Sequence, residues 1–259
     1  MRFEVLGHTV GAPLGGACSG YLVHASGGTI LLDCGPGTLE RVWRRGLADR
    51  LAAIVLSHAH ADHLLDLVPW STSVTAGELA HRRGGEASAP TPLYLPREHG
   101  PQTLAALVDA LGLRDDRFSS AFALREYDEG DRLTVAGSEI GFARTAHPVP
   151  CFAPRIEQDG RTIVYGADGA YSDALVEHAR DADLLVLEAT YLDPDPGQQR
   201  YGHLTGQEAG EIAAAAGARR LLLTHLLPRP DENLENLARA RAAFGGTVDL
   251  AREDLTIVV

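Results

Sequence analysis

The chain has no lysine, only three cysteines and no long apolar run. All 23 basic residues are arginine, so an anionic substrate would be bound by guanidinium groups or by a metal, never by ammonium. Cys18, Cys34 and Cys151 form no C-x-x-C pair, which is typical of reduced thiols in a cytoplasmic protein. No segment approaches the ~20 apolar residues of a membrane span. Met1–Leu6 does not have the pattern of a signal peptide.

The chain also lacks net positive charge, because its 35 acidic residues outnumber its 23 basic residues and give a formal net charge of −12. A protein that binds the phosphate backbone of a nucleic acid usually has a basic surface patch. The balance therefore disfavours nucleic acid as a partner but leaves a local patch open. We expect a small anionic substrate and no membrane partner, and a homodimer is left open. The length of 259 residues, with no dividing linker, predicts a single domain over 1–259.

The segment Ser57-His58-Ala59-His60-Ala61-Asp62-His63 is the densest cluster of reactive side chains in the chain. It directly follows an apolar run, 53–56, that predicts a buried strand. Loops at the carboxyl ends of such strands are where α/β proteins place their sites. Imidazole and carboxylate suit zinc, with manganese or iron as poorer fits. A surface cluster of histidines is the alternative, but this density after an apolar strand disfavours it.

Three further candidates follow apolar or alternating runs, so each is expected at a strand end. They are His147 in Thr145-Ala146-His147-Pro148, Asp168 in Ala167-Asp168-Gly169, and His225 after the run 221–224. Singly, either histidine would be an ordinary strand-end residue. In this order, and with Asp33-Cys34-Gly35 before them, the motifs resemble those of the metallo-β-lactamase-fold hydrolases over nearly the whole chain.

This resemblance implies a site for two divalent metal ions, with zinc preferred and manganese as the alternative. One ion would be held by the three histidines His58, His60 and His147. The second would be held by Asp62, His63 and His225, and the carboxylate of Asp168 would bridge the two ions. Two such ions make hydroxide available near neutral pH and polarise the substrate. Structural zinc sites are closed and commonly rich in cysteine, so the absence of cysteine ligands favours catalysis.

The pattern of elements agrees with an α/β fold of the αββα type, in which two mixed β-sheets pack together with helices on the outer faces. Gly27-Gly28 predicts a two-residue hairpin turn. Residues 70–92 have the composition of a loose connection, and a helix over 101–111 would have an apolar stripe that ends at Leu111. The strands are predicted at 3–7, 21–24, 29–33, 53–57, 93–95, 122–127, 132–135, 139–143, 152–157, 162–165, 184–188, 220–224, 247–250 and 255–258.

Two residues outside the ligand set bear on the substrate. Glu188 ends the predicted strand 184–188, and His203 lies in Gly202-His203-Leu204-Thr205 before a capped helix. Spacing alone favours a turn-capping glutamate and a loop histidine. The strings Glu-Ala-Thr and Gly-His-Leu-Thr, however, resemble the RNase Z branch, which implies that Glu188 orients and charges His203 over a scissile phosphate. The predicted catalytic residues are therefore Asp62, Glu188 and His203.

One departure from RNase Z limits the substrate. Those enzymes carry a Gly- and Pro-rich arm between the lone histidine and the bridging aspartate, whereas only twenty residues separate His147 from Asp168. The leading prediction is therefore a phosphodiesterase that attacks a small or cyclic phosphodiester with a metal-activated hydroxide. The alternatives are a lactone, ester or thioester hydrolase of the same fold, and an RNase Z-type endonuclease that processes RNA 3′ ends. Loop 11–17 is not a P-loop and would form either a pocket wall or a plain connection.

Overall fold

The computed structural model describes residues 1–11, 16–76, 90–194 and 202–259, in which fourteen strands form two seven-stranded sheets. The strands are β1 Arg2–Gly7, β2 Gly20–Ala25, β3 Gly28–Leu32, β4 Leu51–Val55, β5 Thr91–Pro96, β6 Phe122–Tyr127, β7 Arg132–Val135, β8 Ser138–Arg144, β9 Phe152–Gln158, β10 Arg161–Tyr165, β11 Leu184–Glu188, β12 Arg220–Thr224, β13 Thr247–Leu250 and β14 Thr256–Val258. The helices are α1 Thr38–Arg44, α2 Ala61–Leu64, α3 Leu67–Ala76, α4 Gly100–Leu111, α5 Arg117–Ala121, α6 Asp173–His178, α7 Gly206–Ala216 and α8 Pro230–Phe244.

Both sheets are mixed, with one antiparallel and one parallel part. The first has the order β14-β1-β2-β3-β4-β5-β6 and is parallel from β3 to β6. The second has the order β13-β12-β11-β10-β9-β8-β7 and is parallel from β10 to β13. The predicted αββα fold of two mixed sheets is confirmed.

Side chains alternate between the inner core and the outer layers. In β2, Tyr21 and Val23 point into the core between the sheets, whereas Leu22 packs under the helices of the first sheet. In β11, Val186 faces the inner core and Leu185 packs under the helices of the second sheet. Both faces of these strands are buried, which is why their sequences are almost continuously apolar.

The parallel halves bring the reactive segments to one edge. Parallel strands present their carboxyl ends on the same side of a sheet, and the packed sheets place these two edges together. The segments that follow β3 and β4 in the first sheet therefore meet those that follow β10, β11 and β12 in the second. The residues involved are Asp33, His58, His60, Asp62, His63, Asp168, Glu188 and His225.

Local elements differ from the prediction at three places. The hairpin turn between β2 and β3 is Ser26-Gly27, one residue before the predicted Gly27-Gly28, because Gly28 already pairs with Ala25. Residues 70–76, predicted as a loose connection, lie in α3, where Trp70 is buried under the first sheet. Residues 77–89 of that connection lie outside the described part of the chain. The five-residue helix α5 had not been predicted.

Helix α4 packs on the outer face of the first sheet through its apolar stripe. Leu104 and Val108 are buried there, whereas Leu111, the last residue of the helix, is 53% exposed. Gly112 follows it in the left-handed conformation, with φ 59°.

Cys18, Cys34 and Cys151 are free, buried thiols. Within the ranges that the structure describes, no helix has the length and apolar character needed to cross a membrane.

Candidate metal centre and active site

All seven predicted ligands converge at the common edge of the two sheets, where they form two groups. Within each group, the ligand atoms lie within 4.8 Å of one another. The groups are His58, His60, His147 and Asp168, and Asp62, His63 and His225. His60 Nδ1 lies 3.1 Å from His147 Nε2 in the first group, and His63 Nε2 lies 3.3 Å from His225 Nε2 in the second.

Asp168 lies between the two groups. Its Oδ2 is 3.7 Å from His58 Nε2 and 3.4 Å from His225 Nε2. Its Oδ1 is 3.5 Å from His63 Nε2. The carboxylate therefore faces nitrogen atoms of both groups, which is the arrangement that a bridging ligand needs.

The buried Asp33 carboxylate organises the base of the centre. Its Oδ2 accepts hydrogen bonds from His63 Nδ1 at 2.7 Å and from Ser57 Oγ and Tyr165 Oη at 2.8 Å each. Because the Ser57 hydroxyl proton goes to Asp33, Ser57 Oγ accepts from His58 Nδ1 at 3.0 Å. Protonation at Nδ1 leaves the Nε2 lone pairs of His58 and His63 facing the centre, as in many metal sites.

Two further imidazoles are oriented from the second sheet. His147 Nδ1 donates to the Gly202 carbonyl at 3.0 Å. His225 Nδ1 contacts Thr190 Oγ1 at 2.9 Å. In both rings Nε2 is directed at the centre when the imidazole is neutral. The roles of Tyr165, Thr190 and Gly202 had not been predicted from the sequence.

The Asp-x-Gly turn packs directly against the histidine-rich loop. The Cys34 amide donates to the His63 carbonyl at 2.7 Å. A Cβ atom on Gly35 would lie 1.9 Å from the Asp62 carbonyl oxygen. Only glycine permits this approach, which holds Asp33 beneath the ligands.

Three residues at this edge have unusual backbone conformations. Asp33, Ala167 and His225 have φ values of 56°, 52° and 52°, in the left-handed region that non-glycine residues seldom occupy. Such conformations cost free energy and persist where the surrounding structure imposes them, commonly at functional sites. Each of the three residues lies within one residue of, or hydrogen-bonds to, a candidate ligand.

Two buried atoms in the centre have no hydrogen-bond partner among the described residues, namely His58 Nε2 and Asp168 Oδ1. Burying a polar atom without a partner is costly, so such atoms call for a ligand. The donor set of imidazoles and carboxylates, free of cysteine, fits divalent metal ions.

The charges in the centre also fit a cation. Burial lowers the pKa of His58 well below its usual value, so that its imidazole is neutral. Burial opposes ionisation of Asp168, but the neighbouring His225 and His63 hold the pKa of its carboxyl well below the usual range. Burial likewise disfavours a charged His225, yet the Asp168 carboxylate and the contact with Asp62 raise its pKa to about 10. The carboxylates thus remain negative and attract positive charge.

Glu188 and His203 form a pair beside the centre. His203 Nδ1 lies 2.9 Å from Glu188 Oε2, and the Glu188 side chain is fully buried. Glu188 Oε1 also accepts from the Gly169 amide at 2.8 Å, and Oε2 accepts from the Thr190 hydroxyl at 2.5 Å. Burial disfavours the charged imidazole, but the Glu188 carboxylate raises the pKa of His203 overall. Glu188 therefore contacts His203 and does not merely cap a turn.

Arg155, a basic residue of β9, binds within the protein itself. Its guanidinium donates to the carbonyls of His178 and Arg180 at 3.0 and 2.9 Å and pairs with Glu157. It is a strand residue that fastens α6 to the second sheet.

Comparison with known proteins agrees with this geometry. The model of the beta-lactamase superfamily domain matches residues 28–226. "Probable metallo-hydrolase YhfI" of Bacillus subtilis (strain 168) is 33% identical over 255 residues, which cover 97% of each chain. The crystal structure of YhfI has a TM-score of 0.85 at 30% identity and covers 99% of this chain and 98% of that chain.

Other relatives lie among the ribonucleases Z. The ribonuclease Z of Myxococcus xanthus (strain DK1622) is 30% identical over 300 residues, covering 99% of this chain and 97% of the other. The short form of human tRNase Z has a TM-score of 0.70 at 22% identity, covering 100% of this chain and 99% of that one, and shows the fold alone. The chain therefore belongs to the metallo-β-lactamase-fold hydrolases, in the RNase Z-like branch, and is a metal-dependent hydrolase.

Proposed function

We propose that this hydrolase is a dinuclear phosphodiesterase that acts on a small or cyclic phosphodiester. The observation that carries the proposal is the Glu188–His203 pair at 2.9 Å beside the ligand cluster. An acyl substrate is neutral at its reacting carbonyl, and metal ions can stabilise the charge that develops on its oxygen. A phosphodiester is already an anion, and a fixed, protonated imidazole can neutralise that charge as well as protonate the leaving oxygen.

Two divalent ions, zinc or manganese, would supply water ionised near neutral pH and would polarise the phosphate oxygens. We assign His58, His60 and His147 to one ion, Asp62, His63 and His225 to the other, and Asp168 to both. Asp62 is also proposed to accept a proton from the attacking water, because its carboxylate is the one in the cluster that also lines an adjoining cavity.

His203 acts on the leaving group in this proposal. Glu188 accepts a hydrogen bond from His203 Nδ1 and favours the charged ring, so a proton is held at Nε2. The ring lies next to the ligands His147 and His225, with centroid distances of 5.3 and 5.5 Å. From there Nε2 can neutralise the phosphate or protonate the departing oxygen.

Two observations favour a small substrate over tRNA. Strands β9 and β10 are joined by the tight turn Asp159-Gly160, so the chain between His147 and Asp168 has no room for an arm. The net charge of −12 opposes a polyanion.

The substrate class is tested with a panel on metal-loaded protein. We expect turnover of a bis-aryl phosphodiester and of a cyclic nucleotide to exceed that of an aryl ester and a lactone by a wide margin. Steady-state kcat/KM for each substrate is the measurement. A high kcat/KM for the lactone or a thioester, with little phosphodiester turnover, would favour the acyl-hydrolase alternative, and efficient cleavage of a tRNA precursor would favour the endonuclease.

Metal content gives a second test. Purified, reconstituted protein is expected to contain about two transition-metal ions per chain, since seven candidate ligands suffice for two open sites. His60→Ala should lose metal and activity together, because His60 and His147 share one group. Elemental analysis measures the ions, and His24→Ala, whose ring pairs with Glu4 away from the centre, is the matched control. One ion or none in the wild-type protein after reconstitution would contradict the dinuclear assignment.

A further inference from the structure

A cavity of about 540 Å³ adjoins the metal-ligand cluster on the side of Asp62. This volume falls within the usual range for sites that bind small molecules. Its walls come from the start of the chain, from the turn after β3 and from helices α1 and α2. The residues that matter for its chemistry are Val10, Ala17, Pro36, Leu65, Arg41 and Asp62.

The described walls of the cavity are mainly apolar and include one cation. Val10, Ala17, Pro36 and Leu65 offer aliphatic surface, and Arg41 is the only basic residue among the described residues that line it. An apolar wall with a single convergent donor group is the composition of a recognition pocket for an organic substituent. It would not suit a second phosphate, which would need several donors.

The Arg41 guanidinium is held in place from two sides. Nη1 donates to the Gly37 carbonyl at 2.9 Å, and Nη2 pairs with Glu253. Glu253 is itself fixed by the Ala17 amide, which donates to it at 3.1 Å. A guanidinium has five N–H donors, and these contacts use two of them. A ligand would therefore meet a pre-oriented donor and lose little rotamer entropy of the arginine on binding.

The pairing also decides which charge the pocket accepts. Glu253 neutralises Arg41, so a second anion in the cavity would meet no net positive charge and would lie near Asp62. The Arg41–Glu253 pairing does not weaken the binding of a neutral hydrogen-bond acceptor. The flat edge of a heterocyclic base, with ring nitrogen and carbonyl acceptors, combines an apolar face with acceptors that a guanidinium fork can bind.

We infer that this cavity binds a neutral, planar, hydrogen-bond-accepting substituent of the phosphodiester, a nucleobase in chemical terms, and that Arg41 selects it. The inference rests on the proposed phosphodiesterase function and names its substrate class more narrowly. His203 contacts the rings of His147, Tyr191 and His225, and none of these three is among the described residues that line the cavity. Recognition of the base and assistance to the leaving oxygen are thus separate tasks on separate sides of the centre.

The test compares two phosphodiesters on the metal-loaded full chain. One is a nucleoside 3′,5′-cyclic monophosphate, and the other is methyl 4-nitrophenyl phosphate, which has no base to fill the cavity. Arg41→Met keeps the aliphatic stem and removes the donors. It should raise KM for the cyclic nucleotide roughly 10- to 100-fold, the usual value of hydrogen bonds from a charged group, while kcat/KM for the small diester stays unchanged.

Arg45→Met is the matched control, because Arg45 lies on the same side of α1 but pairs with Glu4 and Asp254 outside the cavity. Arg45→Met should change the kcat/KM of neither substrate. Equal losses of Arg41→Met on both diesters would assign Arg41 a purely structural role and overturn the inference. No loss on either would overturn it as well.

A second variant tests the cavity without relying on Arg41. Val10→Trp fills the space, and the Val10 amide can still donate to the Leu226 carbonyl. It should weaken binding of a nucleoside monophosphate, measured by calorimetry, and leave turnover of methyl 4-nitrophenyl phosphate intact. A wild-type enzyme that hydrolyses the small diester but shows no preference for the nucleotide overturns the inference alone. A wild-type enzyme that hydrolyses neither diester overturns the proposed function itself.

Discussion

Asp168→Ala is expected to remove at least one metal ion. Turnover should fall by far more than the ~10²-fold that is lost when a residue that only orients a metal ligand is removed. Asp168 is the only described carboxylate that faces nitrogen atoms of both ligand groups, at 3.4 to 3.7 Å. Without it, two divalent cations would repel each other at short range in a buried site, with no shared anion between them. Elemental analysis and steady-state kinetics on the same preparation measure both effects.

Two variants separate ligand loss from loss of fold. Asp168→Asn keeps the shape of the side chain and removes its charge, so it should stay folded by circular dichroism and still lose metal. Asp173→Ala changes an exposed aspartate in the first turn of α6 and should keep both ions and full activity. If Asp168→Ala retained two ions and near-normal turnover, the bridging assignment would be wrong.

The ligand candidates could be recognised from the sequence because each is tied to a local pattern. His58, Asp168 and His225 each follow a buried strand, and parallel strands bring such ends to one edge. The motif after β4 has an unusual density of imidazole. The structure brings all seven candidates together, although no distance between any two of them could be predicted.

The supporting residues could not be recognised in the same way. Tyr165 looks like an ordinary core aromatic in β10, yet its hydroxyl donates to Asp33, 132 residues earlier in the chain. Thr190 reaches His225 across 35 residues. The first contact depends on how the two sheets pack, and the second depends on how β11 and β12 pair within one sheet. No periodicity in the sequence encodes either arrangement. The positive φ of Ala167 could not be predicted either, because alanine does not signal a left-handed turn.

Short elements were missed for a different reason. Helix α5 has only five residues, too few to show a helical period, and it forms because Phe118 and Ala121 pack under the first sheet. Residues 70–76 lack an amphipathic pattern, and burial of Trp70 and Ser71 fixes the helix there. Tertiary packing overrides weak local preference in both segments.

His203→Ala is expected to keep both metal ions and the fold while it lowers phosphodiester turnover roughly 10²- to 10⁴-fold, the usual contribution of a general acid. The metal should remain because His203 is not assigned as a ligand, and its Nδ1 bonds to Glu188 instead. The matched control is again His24→Ala, which should be neutral in both measurements. Unchanged phosphodiester turnover in His203→Ala would remove the main support for the proposed function.

Glu188→Gln should have a related effect, but it tests more than one contact. The amide can still accept from Gly169, yet it loses an acceptor that serves both His203 and Thr190. Because Thr190 orients His225, metal content must be measured alongside turnover. If metal is retained, the double variant with His203→Ala should be little worse than His203→Ala alone, since residues that act as a unit are not additive.

The dependence on the leaving group distinguishes proton donation from phosphate binding. A nitrophenolate leaves without protonation, so His203→Ala should cost much less with a nitrophenyl diester than with an alkyl or nucleoside diester. The ratio of the two losses is the measurement, and it is insensitive to small differences in metal loading because both substrates share one preparation. Equal losses would mean that His203 neutralises the phosphate and does not protonate the departing oxygen. A loss confined to the poor leaving group would assign the proton at Nε2 to the departing oxygen and make His203 the general acid of the reaction.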